Sequence, residues 1–172
     1  MTDPRIRLAQ VADAAAMPQI EAAAVVLFSD EPDFAEPNLA STWSREHYAA
    51  LIRKGRSLVA EDDGQIVGFI ACEPFGRDLH VWELRVHPER QRQGLGALLL
   101  RAVLVDSRAS GFHAVTLTTF RDVPWNAPFY AKLGFVDVDE VRAHTRLAAV
   151  LTAEVEVGAE SQQRIAMIRL LD

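Results

Sequence analysis

Apolar and polar positions alternate or recur along the chain in runs short enough to be read one element at a time. Ile6 to Ala9 makes a short first strand. Asp13 to Phe28 follows with helix formers, and Ile20, Ala23, Ala24 and Leu27 fall on one face at helical spacing. Pro18 lies inside this run and predicts a kink, because a proline removes one helical hydrogen bond. Ser29 to Thr42 carries two prolines and four acids without periodicity and reads as a loop. Trp43 to Lys54 reads as a helix starting near Ser44 and stopped by Gly55.

A succession of strands comes next. Ser57 to Glu61 and Gln65 to Glu73 form a hairpin across Asp62-Asp63-Gly64, since Asp-Gly supplies the positive φ angles of a tight turn. Leu79 to His87 is a third strand closed by Pro88. Gly94 to Ser110 is a strong amphipathic helix, with Leu95, Leu98, Leu99, Ala102 and Val103 along one side. Ala114 to Phe120 is a β-branched strand, Asn126 to Leu133 a short helix, and Phe135 to Val138 a strand. Val141 to Glu156 reads as a helix and Arg164 to Leu171 as the last strand. The order implies an α/β fold in one domain, a mixed sheet of about seven strands with helices on its faces.

Composition narrows the classes of function. The chain has 172 residues, 18 basic and 24 acidic side chains, and a formal charge of -6. This length suits one domain, and the charge works against a broad nucleic-acid surface. A single cysteine, Cys72, excludes an internal disulfide and a thiolate metal cluster. It is expected to be a core residue in a reduced, cytoplasmic setting. The first residues show no apolar stretch behind a basic flank, and no run approaches the roughly 18 apolar residues of a membrane span. Neither a membrane nor a nucleic acid is therefore an expected partner. His47, His87, His113 and His144 show no metal-ligand spacing, and no metal is expected.

Candidate chemistry gathers between Val86 and Leu100. There a strand ends at a proline, and a polar loop with two glycines enters the long helix. Such a junction offers free backbone N–H groups and the positive end of a helix dipole, an anion site suited to a pyrophosphate. Arg90 and Arg92 would add positive charge. A dinucleotide fingerprint fails because position 99 is leucine, and a P-loop fails for want of Lys-Ser or Lys-Thr after either glycine.

Gln91-Arg-Gln-Gly94-Leu-Gly96, behind Val86-His-Pro88, resembles the Gln/Arg-x-x-Gly-x-Gly/Ala acyl-coenzyme A motif of the GNAT superfamily of N-acetyltransferases. Asn126-Ala-Pro-Phe-Tyr130-Ala-Lys-Leu-Gly134-Phe135 resembles its second signature. With the matching element order, the resemblance covers most of Ile6 to Leu171, and the whole of residues 1–172 is expected to form this one domain. One departure is Arg92, where the family often has glycine. The resemblance implies acetyl-coenzyme A as co-substrate. Backbone groups along Leu84, Arg85 and Val86 would hold its pantetheine arm. Amides of Gln91, Arg92, Gln93, Gly94, Leu95, Gly96 and Ala97 would surround its pyrophosphate, and Asn126 would bind the arm's far side.

Transfer of an acyl group to an amine needs a base for the ammonium, a donor for the oxyanion and an acid for the leaving thiolate. Tyr130 matches the family's tyrosine near the coenzyme sulfur and is the candidate acid. Glu83, acting through water, and His80 are the candidate bases on the third strand. Strand alternation places them on opposite faces unless a bulge intervenes. The acidic loop Asp30 to Glu36 would attract a cationic amine, and Trp125 could wall the same pocket. The expected acceptor is a small primary amine. A protein or peptide amine, or a non-catalytic coenzyme-binding module, are the alternatives. Members of the superfamily are often homodimers.

Overall fold

The computed structural model describes residues 4–24, 42–121, 123, 125–138, 144–156 and 164–171. The first strand, β1 (Arg5–Leu8), leads into a 3-10 turn over Val11–Ala15 and then α1 (Met17–Ala24). The expected helix from Asp13 is thus split, and Pro18 falls in the first turn of α1. Its missing N–H would have had no helical acceptor there, so the proline starts the helix instead of kinking it. The expected stretch of this helix from Val25 to Phe28 and the loop holding Asp30 to Glu36 lie outside the described residues.

Helix α2 (Arg45–Arg53) begins where capping chemistry predicts, with Ser44 Oγ accepting from the His47 N–H at 3.1 Å. Strands β2 (Leu58–Asp62) and β3 (Gln65–Phe75) join through Asp63 and Gly64 at φ 48° and 78°, the two positive angles of a type I′ turn. Then come β4 (Asp78–Val86), α3 (Leu95–Ala109), β5 (Ala114–Phe120), α4 (Ala127–Lys132), β6 (Val136–Asp137), α5 (Thr145–Glu156) and β7 (Arg164–Leu170). The seven strands form one sheet in the order β1-β2-β3-β4-β5-β7-β6. Among the described strands only β4 and β5 run parallel. A mixed seven-stranded α/β sheet is what the element order implies.

Each face of the sheet buries its own core. Leu99, Leu100 and Val103 of α3 pack on Ile70, Val81 and Leu117, while Met17, Ile20, Tyr48 and Leu51 of α1 and α2 pack on Val59 and Phe69. Each of these larger apolar side chains contributes roughly 1.5–3 kcal/mol when removed from water.

Two irregularities in β4 prepare the site. Ala71 lies opposite Glu83 but Cys72 lies opposite Val81, so Trp82 is an inserted bulge residue. Pairing between β4 and β5 then runs only from Asp78↔Ala114 to Val81↔Leu117, after which the two strands part.

Gly68 permits the close seating of α3 against β3 and β4. A Cβ there would stand 3.1 Å from the Arg85 carbonyl oxygen and 3.4 Å from Leu99 Cδ1. We expect Gly68→Ala to overpack this contact at about 1–3 kcal/mol. Thermal unfolding should then fall by roughly 2–4 °C for each kcal/mol lost; an unchanged midpoint would show that the contact yields freely.

Candidate active site

The parted strands leave one edge of β4 without a neighbouring strand among the described residues. The His87 N–H donates to the Val67 oxygen at 2.9 Å while Val86 stands opposite Gly68. In an antiparallel ladder this directs the N–H and C=O of Val86, and of Leu84 two residues earlier, away from β3 and into the gap. Those of Glu83 and Arg85 point back to β3. The Val86 oxygen accepts from Gln91 Nε2 at 2.9 Å. Its N–H and both groups of Leu84 therefore present a ladder edge that an extended amide-bearing chain can pair with.

The loop beyond β4 is shaped by backbone conformation more than by charge. Gln91 donates its N–H to the Pro88 oxygen at 3.2 Å and its side chain to Val86, so it ties the loop to the strand. Gln93 Nε2 likewise donates to the Glu89 oxygen at 3.1 Å. Arg92 and Gly94 both adopt left-handed φ, 60° and 81°. That geometry explains why glycine suits position 92, and the arginine there costs on the order of 1 kcal/mol. Leu98 is the first residue whose N–H is bonded back, to Gly94 at 3.0 Å, which leaves the amides of Leu95, Gly96 and Ala97 at the open helix end. A Cβ on Gly94 would meet nothing within 4 Å, so the surface above it is open to a ligand. The expectation that Arg90 adds charge here is corrected: its guanidinium pairs with the buried Asp62 carboxylate of the hairpin turn. Arg92 is exposed.

The bulge at Trp82 decides the placement of the candidate bases. Glu83 opposes Ala71 and His80 opposes Glu73, and alternate residues of β3 share a face. Glu83 and His80 therefore share the α1/α2 face, the exception that a bulge creates. Their environments differ. His80 is fully buried, with Nδ1 2.9 Å from Thr116 Oγ1, which also accepts from an Arg146 N–H at 3.0 Å. Burial, reinforced by Arg146, pushes its pKa down to about 3, so it is a neutral imidazole. The Glu83 carboxylate lies 2.8 Å from the Arg85 guanidinium. Desolvation raises Glu83 above the usual carboxylate range, with Glu21 and Glu154 adding and Arg85 and Arg164 opposing. Tyr130, on α4, is pushed up to about 12 by burial, and the Arg85 charge works against that rise.

Several groups around Glu83 escape a reading of periodicity. Glu21 accepts from the Tyr48 hydroxyl at 2.7 Å and from the Trp43 N–H at 3.1 Å, fastening α1 to α2. Arg164 donates to Glu154 at 2.8 Å beneath Thr118. A lone acid among the alanines of α1 was the available signal for Glu21; Arg164 and Glu154 carried none. The Asn126 side chain makes no capping bond to the helix it opens. Trp125 is half-buried just before it. Cys72 is fully buried, and burial pushes its thiol up. Among the described residues no group of three or more His, Cys, Asp or Glu side chains is arranged to hold a metal. No described helix is long and apolar enough to cross a membrane.

Comparison with known proteins places this arrangement in a family. The acetyltransferase (GNAT) family model matches residues 23–135, and the chain belongs to that family. An uncharacterized N-acetyltransferase, ycf52, of Porphyra purpurea is 32% identical over 90 residues, 50% of this chain and 50% of that protein. The chain thus spans about half the length of the curated relatives it matches. The PaiA N-acetyltransferase of Thermoplasma acidophilum, solved with coenzyme A, superposes at a TM-score of 0.74 with 17% identity, covering 98% of this chain and 99% of that one. The ribosomal-protein-S18-alanine N-acetyltransferase of Escherichia coli superposes at 0.71 with 18% identity, over 98% and 94%. These likenesses establish a shared fold.

The buried neutral His80 links stability to pH. In the unfolded chain it takes up a proton as pH falls through about 6.5, whereas the folded chain resists until about 3. Its contribution is complete above pH 6.5 and is lost on acidification across that window, at up to ~1.4 kcal/mol per pH unit. Urea unfolding at pH 7.5 and 5.5 should show a smaller loss for His80→Gln than for wild type; equal losses would rule His80 out as the source.

Proposed function

We propose that this chain transfers an acetyl group from acetyl-CoA directly to a primary amine held in the same complex. The observation that carries the reading is the free ladder edge at Leu84 and Val86, running into the open amides of Leu95 to Ala97. That edge fits the amide-bearing pantetheine arm, and the helix end fits a pyrophosphate. Arg92, Gln93 and Gly94 line the approach, and Asn126 flanks the arm from the other side. Acetyl-CoA supplies an activated thioester; the remaining steps belong to the protein.

Glu83 removes the proton that keeps the acceptor as an ammonium ion, through a bridging water. The freed nitrogen lone pair forms the new C–N bond at the thioester carbonyl. Backbone N–H groups on the open edge of β4 stabilise the oxyanion. As the C–S bond breaks, the Tyr130 hydroxyl gives its proton to sulfur; the second nitrogen proton passes through water to the Tyr130 phenolate as the amide forms, and Glu83 returns its own proton to solvent. Glu83 is favoured over His80 because a fully buried imidazole with a pKa near 3 is a poor proton acceptor.

Three carboxylates, Glu21, Glu83 and Glu154, and two guanidiniums, Arg85 and Arg164, act on this space. The excess of negative charge favours a cationic amine, and we read the acceptor as a small molecule. Thiol release from acetyl-CoA against amino acids, polyamines, aminoglycosides and peptides tests both points. Turnover with peptides alone would assign a protein acceptor, and intact coenzyme binding without turnover would assign a regulatory module.

Tyr130→Phe is expected to lower kcat by about 100-fold or more and leave coenzyme affinity unchanged; unaltered kcat removes Tyr130 as the acid. Glu83→Gln is expected to lower kcat/KM near neutral pH and to displace its acidic limb to the higher pH at which the amine loses its proton to solvent. A limb retained at the wild-type position would assign the base elsewhere.

A further inference from the structure

Arg85 enters the sequence reading as part of the coenzyme edge, yet its backbone faces β3 opposite Phe69. What it brings to the cleft is its side chain. The guanidinium lies 2.8 Å from the Glu83 carboxylate, two residues away on the same face of β4. Its Nε is buried and has no hydrogen-bond partner among the described residues. The titratable groups coupled electrostatically to it come from four elements: Glu83 on β4, Glu21 on α1, Tyr48 on α2 and Tyr130 on α4. Arg164 from β7 also acts on both Glu83 and Tyr130. Its guanidinium, however, is bonded to Glu154 of α5 and to Thr118 of β5, so its charge is matched locally.

We propose that Arg85 is a positioning residue for acetyl transfer: its guanidinium orients the Glu83 carboxylate and charges the space shared with the Tyr130 phenol. This rests on the reading of Glu83 as base and Tyr130 as acid. The two proton transfers need the same thing from a desolvated site, a stabilised anionic form. Glu83 must stay ionised to accept a proton, and Tyr130 must be acidic enough to give one to a thiolate. One fixed cation serves both, because it stabilises the carboxylate and the developing phenolate together. Without it, burial drives both groups towards holding their protons. The acceptor's ammonium then loses its base, and the sulfur loses a competent acid.

The chain has only two tyrosines, Tyr48 and Tyr130, which makes the second half directly observable. The protein labelled with fluorotyrosine, whose phenol is more acidic, gives two fluorine resonances that Tyr130→Phe assigns. In Arg85→Gln the Tyr130 midpoint is expected to rise by about half a pH unit or more, and in Arg85→Lys to return most of the way. The acidic limb of kcat/KM should move upward in Arg85→Gln and recover in Arg85→Lys, with coenzyme affinity unchanged. A Tyr130 midpoint that does not respond to Arg85→Gln overturns the proposal, as does a shifted midpoint with an unmoved kinetic limb. Should Arg85→Gln fail to fold, Glu83→Gln supplies the reciprocal test: with the opposing carboxylate gone, the Tyr130 midpoint must fall, and a static one overturns the proposal equally. The fluorine titration needs no turnover. A shifted Tyr130 in a protein that acetylates no amine therefore defeats the enzymatic reading and leaves the measured charge coupling intact.

Discussion

Backbone N–H and C=O groups are obligatory hydrogen-bonding groups, and the molecule is organised around the place where a sheet stops satisfying them. Strands β4 and β5 pair through Val81 and Leu117 and then separate. Along Leu84 and Val86 the ladder continues on the β3 side and meets no strand on the other among the described residues. The cores on both faces pack against the strands that carry this edge. Leu99 and Leu100 press from α3, and Phe69 and Tyr48 from the opposite face. A ladder edge held open by packing is pre-organised for an extended ligand, which need not displace a strand to bind.

The bulge at Trp82 decides which charged side chains lie beside that edge. One inserted residue rotates Glu83 onto the face that already holds His80, and it leaves Arg85 beside Glu83. The result is a partly desolvated set of alternating charges, in which no carboxylate or guanidinium acts independently. Ion pairs of this kind contribute little net stability, because desolvation offsets the Coulomb attraction. Their value is in fixing protonation states. His80 shows the contrast on the same face: buried against Thr116 and Arg146, it is neutral and anchors β4 to β5.

The proposed anion site of this acidic chain does not require a basic patch. Arg90 is committed to Asp62, and Arg92 is exposed in a left-handed conformation. The Gly94 turn and the first amides of α3 remain as the concentrated source of positive potential. The strain at Arg92 accompanies a loop whose course is set by Gln91 and Gln93 bonding back to Val86 and Glu89.

Local features were legible in the sequence because their causes are local. Ser44 capping α2, Asp63-Gly64 turning the hairpin, and the leucine stripe of α3 each depend on residues a few positions apart. The two glycine-bearing signatures likewise named the family and the candidate residues Gly94, Gly96, Asn126 and Tyr130. Pro18 misled only in position: a proline's effect depends on which turn of the helix it occupies, and the 3-10 turn before Met17 set that. The amino-acid sequence by itself thus determined the elements, their order and the chemistry available. The tertiary structure alone decided that His80 and Glu83 share a face, that Arg90 serves the hairpin, and that Arg85 pairs with Glu83 within electrostatic reach of Glu21, Tyr48 and Tyr130. Those outcomes depend on strand register and on charges from elements far apart in the chain, and side-chain spacing carries no record of either.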